Sequence, residues 1–416
     1  MSYNSCRNMK NKRKKLLTIM ILLAVLAMAA FGALWAERVQ KAGQADKSGI
    51  ETVTGETGDA EDANEAESTE PLATLFFASD YQYQPDFAAP AETLRALLNA
   101  AKADGKSADK VIMCGDYSNE RNLYNYQVSP DGAIGEIRGI AEEVYPGVNG
   151  EDLMFVQGNH DRMTDQITAT GLYEEDDYLI YILNTEEDFP WVQGKTAGSL
   201  AKVRKSAAEM KECFDGLIEK GETRPVFIAG HVPLHFTART SSRHASGDNL
   251  YSSLIFDVVN EAAKSLDIIY IHGHNHSKGW DCYMGGSSSY KAPGDTILIP
   301  RFEDWMITSD EYTEETLRFT YMNAGYTGYY MNCGSKEREA EGLEKYRAAD
   351  ETLTGTIAEI YRDRIVLTRY DSEGVHALGS EGAADPYKGG IDAGLIGEES
   401  YSKETPSPQE IKRHTR

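Results

Sequence analysis

Short apolar runs alternate with stretches of helical spacing through the middle of the chain. Thr74-Leu75-Phe76-Phe77-Ala78-Ser79 has the length and character of a buried strand. The segment from Ala91 to Ala103 then shows the spacing of an amphipathic helix. Val111-Ile112-Met113-Cys114 and Leu153-Met154-Phe155-Val156 read as second and third buried strands, and Tyr178 to Leu183 as a further candidate. A charged amphipathic helix is expected over 197–220, strands over 225–229 and 267–271, and a helix between them over 251–265. Beyond that the pattern turns to strands, at 296–300, 316–323, 326–332, 353–361 and 364–370. Helix-alternating strands followed by strand-rich sequence predict a layered α/β domain with mixed sheets over 72–372.

Both ends depart from this pattern. Lys10, Lys12, Arg13, Lys14 and Lys15 precede a charge-free run from Leu16 to Ala36, long enough to cross a bilayer as a helix. The basic flank (1–15) predicts a cytoplasmic N-terminus, with the rest of the chain outside the membrane. A cleaved signal peptide is the alternative. Its apolar region is usually about 7–15 residues, and Ala27-Met28-Ala29 would serve as its cleavage site. Either reading exports the domain, as a single-pass membrane protein or a secreted one. Residues 37–71 are rich in Glu, Asp, Ala, Gly, Ser and Thr, with too little apolar area to offset ordering entropy, and read as an acidic spacer. The Gly-, Ser- and Glu-rich stretch over 373–416 reads as a loose tail.

The net charge of -24 argues against a nucleic-acid partner, which needs a Lys/Arg footprint. An acidic protein can still hold small phosphate esters if a metal supplies the local positive charge. Five cysteines without a CxxC pair give neither a disulfide framework nor a thiolate zinc site. Cys114 sits in an apolar run and is expected to be buried, while a Cys282–Cys333 pairing is left open by the sequence.

Chemistry enters where the strands end. Five predicted strands run into residues able to bind metal: Asp80-Tyr81-Gln82, Gly115-Asp116, Gly158-Asn159-His160-Asp161, Gly230-His231 and Gly273-His274-Asn275-His276. Sites in open α/β sheets form outside the carboxyl ends of strands, so the repetition places these side chains around one centre. Oxygen and imidazole donors without sulfur suit divalent Mn, Fe or Zn. Each motif alone has an ordinary reading: Gly-Asp pairs are common turns, and His235 could be a surface or pocket residue. The ordered set of five is what carries the signal.

In this order the motifs resemble those of the calcineurin-like metallophosphoesterase superfamily, across about 74–371. The resemblance implies a four-layer α/β/β/α sandwich with two mixed sheets and two divalent metal ions. It implies that Asp116 bridges the ions, that Asp80 and His276 hold the first, and that Asn159, His231 and His274 hold the second. His160 would stand at the leaving-group or phosphate oxygen, with Asp161 orienting its ring. Gln82 departs from the pattern, because the family has a histidine ligand there. An amide oxygen ligates weakly or through water, so the first site is expected to be looser. Arg239 and Arg243 are candidate phosphate contacts.

Such a set suits phosphate-ester hydrolysis, in which two ions about 3.5–4 Å apart neutralise the ester and activate a water. A histidine that protonates the leaving oxygen adds about 10²–10⁴-fold. The competing reading is a metal-binding surface protein with weak catalysis, in which Gln82 marks a decayed first site. A structural wall or adhesion protein would leave the five motifs unexplained.

Overall fold

The computed structural model describes residues 70–83, 89–118, 129–185, 197–234, 251–274, 290–300, 312–328, 353–376 and 407–414. The chain divides into two compact units, Met1–Ala66 and Glu67–Arg416, and every described residue belongs to the second. The expected anchor over 16–36 and most of the spacer lie outside the described residues. Among those that are described, no helix is long and apolar enough to cross a membrane.

The first half of the domain runs β1 (Ala73–Ala78), α1 (Ala89–Ala103), β2 (Lys110–Met113), α2 (Asp131–Val144), β3 (Leu153–Phe155), β4 (Gly171–Glu174), β5 (Leu179–Leu183) and α3 (Ala197–Glu219). It continues through β6 (Val226–Gly230), α4 (Ser252–Ala262), β7 (Ile268–His272), β8 (Tyr290–Lys291), β9 (Thr296–Pro300), β10 (Tyr312–Thr316) and β11 (Thr320–Asn323). The chain closes on β12 (Gly355–Ile360), β13 (Arg364–Asp371), β14 (Gly374–His376) and β15 (Gln409–Lys412).

Two mixed sheets result. The first has the order β14-β13-β12-β1-β2-β3, with β15 on β13; the second has the order β4-β5-β6-β7-β11-β8. β1, β2 and β3 are parallel, as are β5, β6, β7 and β11, while β12 lies antiparallel to β1. β9 and β10 form a separate antiparallel pair.

The apolar run of β1 is continuous because both of its faces are buried. Side chains alternate across a strand, so Leu75 and Phe77 point to the second sheet and Phe76 to the helices. The inter-sheet core joins Leu75, Phe77, Ile112 and Val156 to Ile180, Phe227, Ile269 and Ile271. The rings of Phe77 and Phe227 stack across it at 5.7 Å. A second core sets Phe76, Val111 and Met113 against Leu94, Leu97, Ile134 and Ile137 of α1 and α2. A third sets Tyr181, Ile228 and Tyr270 against Val203, Met210, Ile255 and Val259 of α3 and α4. Three cores between four layers give the expected α/β/β/α order.

Several elements differ from the sequence reading. Helix α2, absent from the elements expected above, buries Ala133, Ile134, Ile137, Ile140, Ala141 and Val144 along one stripe. The strand expected over 316–323 is broken, because Leu317 and Phe319 turn into the outer core instead of continuing the ladder. Of the strand expected over 326–332, residues 326–328 form a loop and the remainder lies outside the described residues. The reading of 373–416 as a loose tail is corrected at two places. Residues 374–376 form β14, and 409–412 form β15 along β13, with Ile411 packed on the inter-sheet core. Arg413 then donates to Tyr361 O at 2.8 Å and Thr223 O at 2.6 Å, and the His414 amide to Asp267 Oδ1 at 3.0 Å. A polar segment can be fixed by ladder and side-chain hydrogen bonds without apolar periodicity of its own.

Candidate metal centre

The carboxyl ends of the two parallel strand sets meet at one rim. Backbone hydrogen bonds join the turns there in pairs: those after β1 and β2 through Asp80 N to Gly115 O at 2.9 Å and Gln82 N to Asp116 O at 3.0 Å, and those after β6 and β7 through Gly273 N to His231 O at 3.0 Å. Among the described residues, four non-glycine residues have positive φ: Asp80 (54°), Gln82 (52°), Asp116 (58°) and His274 (67°). All four are sequence-predicted ligands. Left-handed backbone costs an L-residue roughly 1–2 kcal/mol, and such strain concentrates where function requires a side chain to be aimed. Gln82 shares this left-handed geometry and is buried like Asp80, Asp116 and His274.

Asp116, His231 and His274 are buried, with one donor atom from each lying within 4.8 Å of the others. His231 Nε2 is 3.2 Å from Asp116 Oδ2 and 3.1 Å from Asn159 Oδ1. Its Nδ1 lies 2.6 Å from the carbonyl oxygen of Cys114. A carbonyl can only accept, so Nδ1 carries the proton and Nε2 is the atom turned to the centre, a common way of fixing a ligand tautomer. The His274 ring meets the His231 ring edge-on at 5.0 Å. Its backbone amide donates to Asp80 Oδ2 at 2.9 Å, and the Ser79 hydroxyl lies 2.6 Å from the same oxygen. The Asp80 and His274 loops are therefore tied directly to each other.

Charge in this cluster is tightly coupled. Burial pushes the Asp116 carboxyl up, but the imidazoles of His231, His160 and His274 outweigh burial and hold it well below the usual range. Burial pulls the His231 imidazole down, and the Asp116 carboxylate more than reverses this, raising it to about 9. Without a metal, a proton thus occupies the Nε2 position facing Asp116 and Asn159. A divalent cation would take its place, and the buried oxygen and imidazole donors fit such an ion.

His160 is partly exposed, at 16%, with Nε2 3.8 Å from Asp116 Oδ2. Its backbone amide donates to Asp116 Oδ1 at 2.9 Å. The expected contact between Asp161 and the His160 ring is not what the structure has. Asp161 is fully buried and spends both oxygens on backbone amides. Oδ2 accepts from Asp116 N at 2.7 Å and Gly158 N at 2.8 Å, and Oδ1 accepts from Tyr117 N at 2.9 Å. Burial pushes the Asp161 carboxyl up to about 7, with the Asp116 charge adding to the effect and the Gly158 and Tyr117 amides opposing it. Its role is to clamp the turn after β3 onto the turn after β2. The signal was legible in part, since the tight glycine turns had to satisfy their amides somewhere. Gly158 belongs to the same clamp: a Cβ there would fall 2.2 Å from both Asp116 N and Asp116 Oδ1. His276, His235, Arg239 and Arg243 lie outside the described residues.

Residues 76–278 match the sequence model of the calcineurin-like phosphoesterase family. No curated protein matches the chain. Among solved structures, the chain is similar to a dimetal phosphatase from Danio rerio at 11% identity and a TM-score of 0.42, covering 74% of this chain and 99% of that one. A purple acid phosphatase from yellow lupin (Lupinus luteus) seeds gives 11% and 0.41, covering 73% of this chain and 52% of that one. A conserved uncharacterised protein from Streptococcus pneumoniae, described as a predicted phosphoesterase, gives 11% and 0.28, covering 73% and 92%. The family model spans the five turns through His276, a little under half of the chain, and through that segment the chain is similar to the calcineurin-like phosphoesterases.

Proposed function

We propose that the protein hydrolyses a phosphomonoester or phosphodiester at a dinuclear divalent-metal centre, outside the cell. The observation that carries this reading is the convergence of four left-handed residues, Asp80, Gln82, Asp116 and His274, on one buried rim with His231. Asp116 would be shared between the ions. Asp80, Gln82 and His276 would complete the first site, and Asn159, His231 and His274 the second, with Mn, Fe or Zn as candidates. Such ions neutralise the ester's charge and lower the pKa of a bound water. His160 is suited to hold a proton toward the leaving oxygen, because among the described histidines of the cluster it is the one that reaches solvent. Arg239 and Arg243 remain candidate contacts for the phosphate. The full chain, loaded with Mn²⁺ and offered aryl phosphate mono- and diesters, should turn over at least one class. Stoichiometric metal binding with no turnover on either would favour the surface metal-binding alternative.

The Gln82 departure gives a separable expectation. An uncharged amide oxygen is a weaker donor to first-row ions than imidazole. Loading should be stepwise, with turnover rising as the weaker site fills. Gln82→His should lower the metal concentration for half-maximal turnover, by about tenfold on the scale of ligand-environment effects, without raising the maximal rate. Superimposed metal titrations of the two forms would remove Gln82 from the first site.

Export rests on the sequence of residues 1–36. Protease added to intact cells should cut within 37–71 and release an active soluble fragment. Protection of the domain until lysis would reverse the orientation.

A further inference from the structure

One turn outside the ligand motifs touches both halves of the centre. It begins at Asn323, the end of β11, and runs to Gly328. On one side it meets the residues leading into His274. Asn323 Nδ2 donates to Gly273 O at 3.4 Å, and Ala324 N donates to His272 O at 2.7 Å. On the other side it meets the loop of Asp80 and Gln82. Thr327 directs its amide (3.1 Å) and its hydroxyl (3.2 Å) to Ser79 O. A Cβ on Gly328 would lie 2.4 Å from Asp80 O and 2.5 Å from Tyr81 O, so the turn lies flat against that loop.

The turn is also held from behind. Gly325 N donates to Asn323 Oδ1 at 2.9 Å, Thr354 N to Tyr326 O at 2.9 Å and Thr356 Oγ1 to Ala324 O at 3.0 Å. Arg369 of β13 donates to Asn323 O at 2.6 Å and to Thr354 Oγ1 at 3.1 Å. Its side chain is fully buried, and it has no carboxylate partner among the described residues. Burial alone pushes its guanidinium down to about 9. Burying a guanidinium is costly unless it is hydrogen-bonded, and the described acceptors that meet Arg369 are Asn323 O and Thr354 Oγ1, which ties its burial to this turn.

We propose that the Asn323–Gly328 turn, pinned by Arg369, is a spacer that sets how far the Asp80–Gln82 loop stands from the His274 loop, and thereby the geometry available to two ions. This rests on reading the rim as a metal centre. Asn323, Gly328 and Arg369 are positioning residues: they act through the backbone of the ligand loops, and their value lies in rigidity, since a centre displaced by about 1 Å is too loose to function. The two arms of the spacer are separable. Gly328 bears on the first-site loop and Asn323 on the second.

The test is a calorimetric Mn²⁺ titration of the full chain, with turnover followed in parallel. Gln82→His identifies the first-site step by the step it shifts. Gly328→Ala should weaken that same step, and Asn323→Ala the other one, each by about tenfold, the scale for groups that support metal ligands. Tyr370→Phe is the control for simple destabilisation. It removes the 2.5 Å hydrogen bond to Asp104, in the core on the α1–α2 side, and should lower Tm with both steps unchanged. Arg369→Met should weaken both steps if it folds; the other two variants carry the test if it does not. Unchanged Mn²⁺ steps in Gly328→Ala and Asn323→Ala, with Tm lowered as in the control, would overturn the spacer alone, as would equal shifts of both steps by each variant. Absence of any Mn²⁺ binding by the unaltered protein would instead overturn the metal-centre reading, before any variant is compared.

Discussion

Asp116→Asn is expected to abolish turnover at ordinary metal concentrations while leaving the fold intact. The carboxylate is fully buried, with Oδ2 3.2 Å from His231 Nε2 and 3.8 Å from His160 Nε2. Asparagine keeps the shape, and its oxygen can still accept the His160 amide that now bonds Oδ1 at 2.9 Å. What it loses is the charge, and its amino group would face Nε2 of His231. Removing one partner from a buried charged set costs about 3–5 kcal/mol, which corresponds to roughly 10²–10⁴-fold in metal affinity at about 1.4 kcal/mol per decade. Turnover should fall at least as far, because a carboxylate shared between two ions would fix both. The metal-free protein offers a second readout. Asp116 holds the His231 imidazole raised to about 9 against the pull of burial. A raised folded-state pKa contributes stability that is fully present below the ordinary value near 6.5 and is lost as pH rises through about 9. The variant should lose this contribution in metal-free thermal scans at neutral pH and keep little difference from the unaltered protein well above pH 9. Undiminished activity in Asp116→Asn would remove it from the bridging position.

The centre was legible in the sequence because its parts obey a rule that needs no tertiary knowledge. A buried strand must end at a rim, and polar residues placed directly after several such strands share that rim. Asp80, Asp116, Asn159, His231 and His274 follow from this, and the structure brings them together. The backbone that aims them was only half legible. The glycines of the motifs suggested tight turns, yet Asp80, Gln82, Asp116 and His274 themselves adopt left-handed backbone. At Gly158 the reason for glycine is the close approach of Asp116, a contact between strands 40 residues apart that spacing does not encode. Arg369 was illegible for a related reason. It sits in a half-polar strand whose sequence suits an edge, and only the packing of β13 behind the β11 turn buries it. The pairing of β15 with β13 likewise depends on a ladder formed with a strand already in place.

Asp161 is where the sequence reading and the structure lead to different experiments. If the carboxylate oriented the His160 ring, Asp161→Ala would slow turnover at saturating metal and leave metal affinity untouched. The observed hydrogen bonds predict the reverse order of effects. Asp161 accepts from the amides of Asp116, Gly158 and Tyr117, and the first of these belongs to a residue held at a φ of 58°. Alanine leaves three buried donors without an acceptor. Each such loss costs about 1–3 kcal/mol, so the domain should lose roughly 3 kcal/mol or more, a fall in Tm of about 6–12 °C if it unfolds as one unit. With the clamp gone, Asp116 can relax from its left-handed conformation, and metal affinity should drop by about tenfold or more. Asparagine should be intermediate. Its oxygen can replace Oδ2 for Asp116 and Gly158, but its amino group then opposes the Tyr117 amide, donor against donor. The ranking of Tm and of metal affinity is therefore aspartate above asparagine above alanine, with turnover largely recovered when excess Mn²⁺ is supplied to whichever variant stays folded. Turnover that stays depressed at saturating Mn²⁺ while calorimetric affinity is unchanged would return Asp161 to the side of His160.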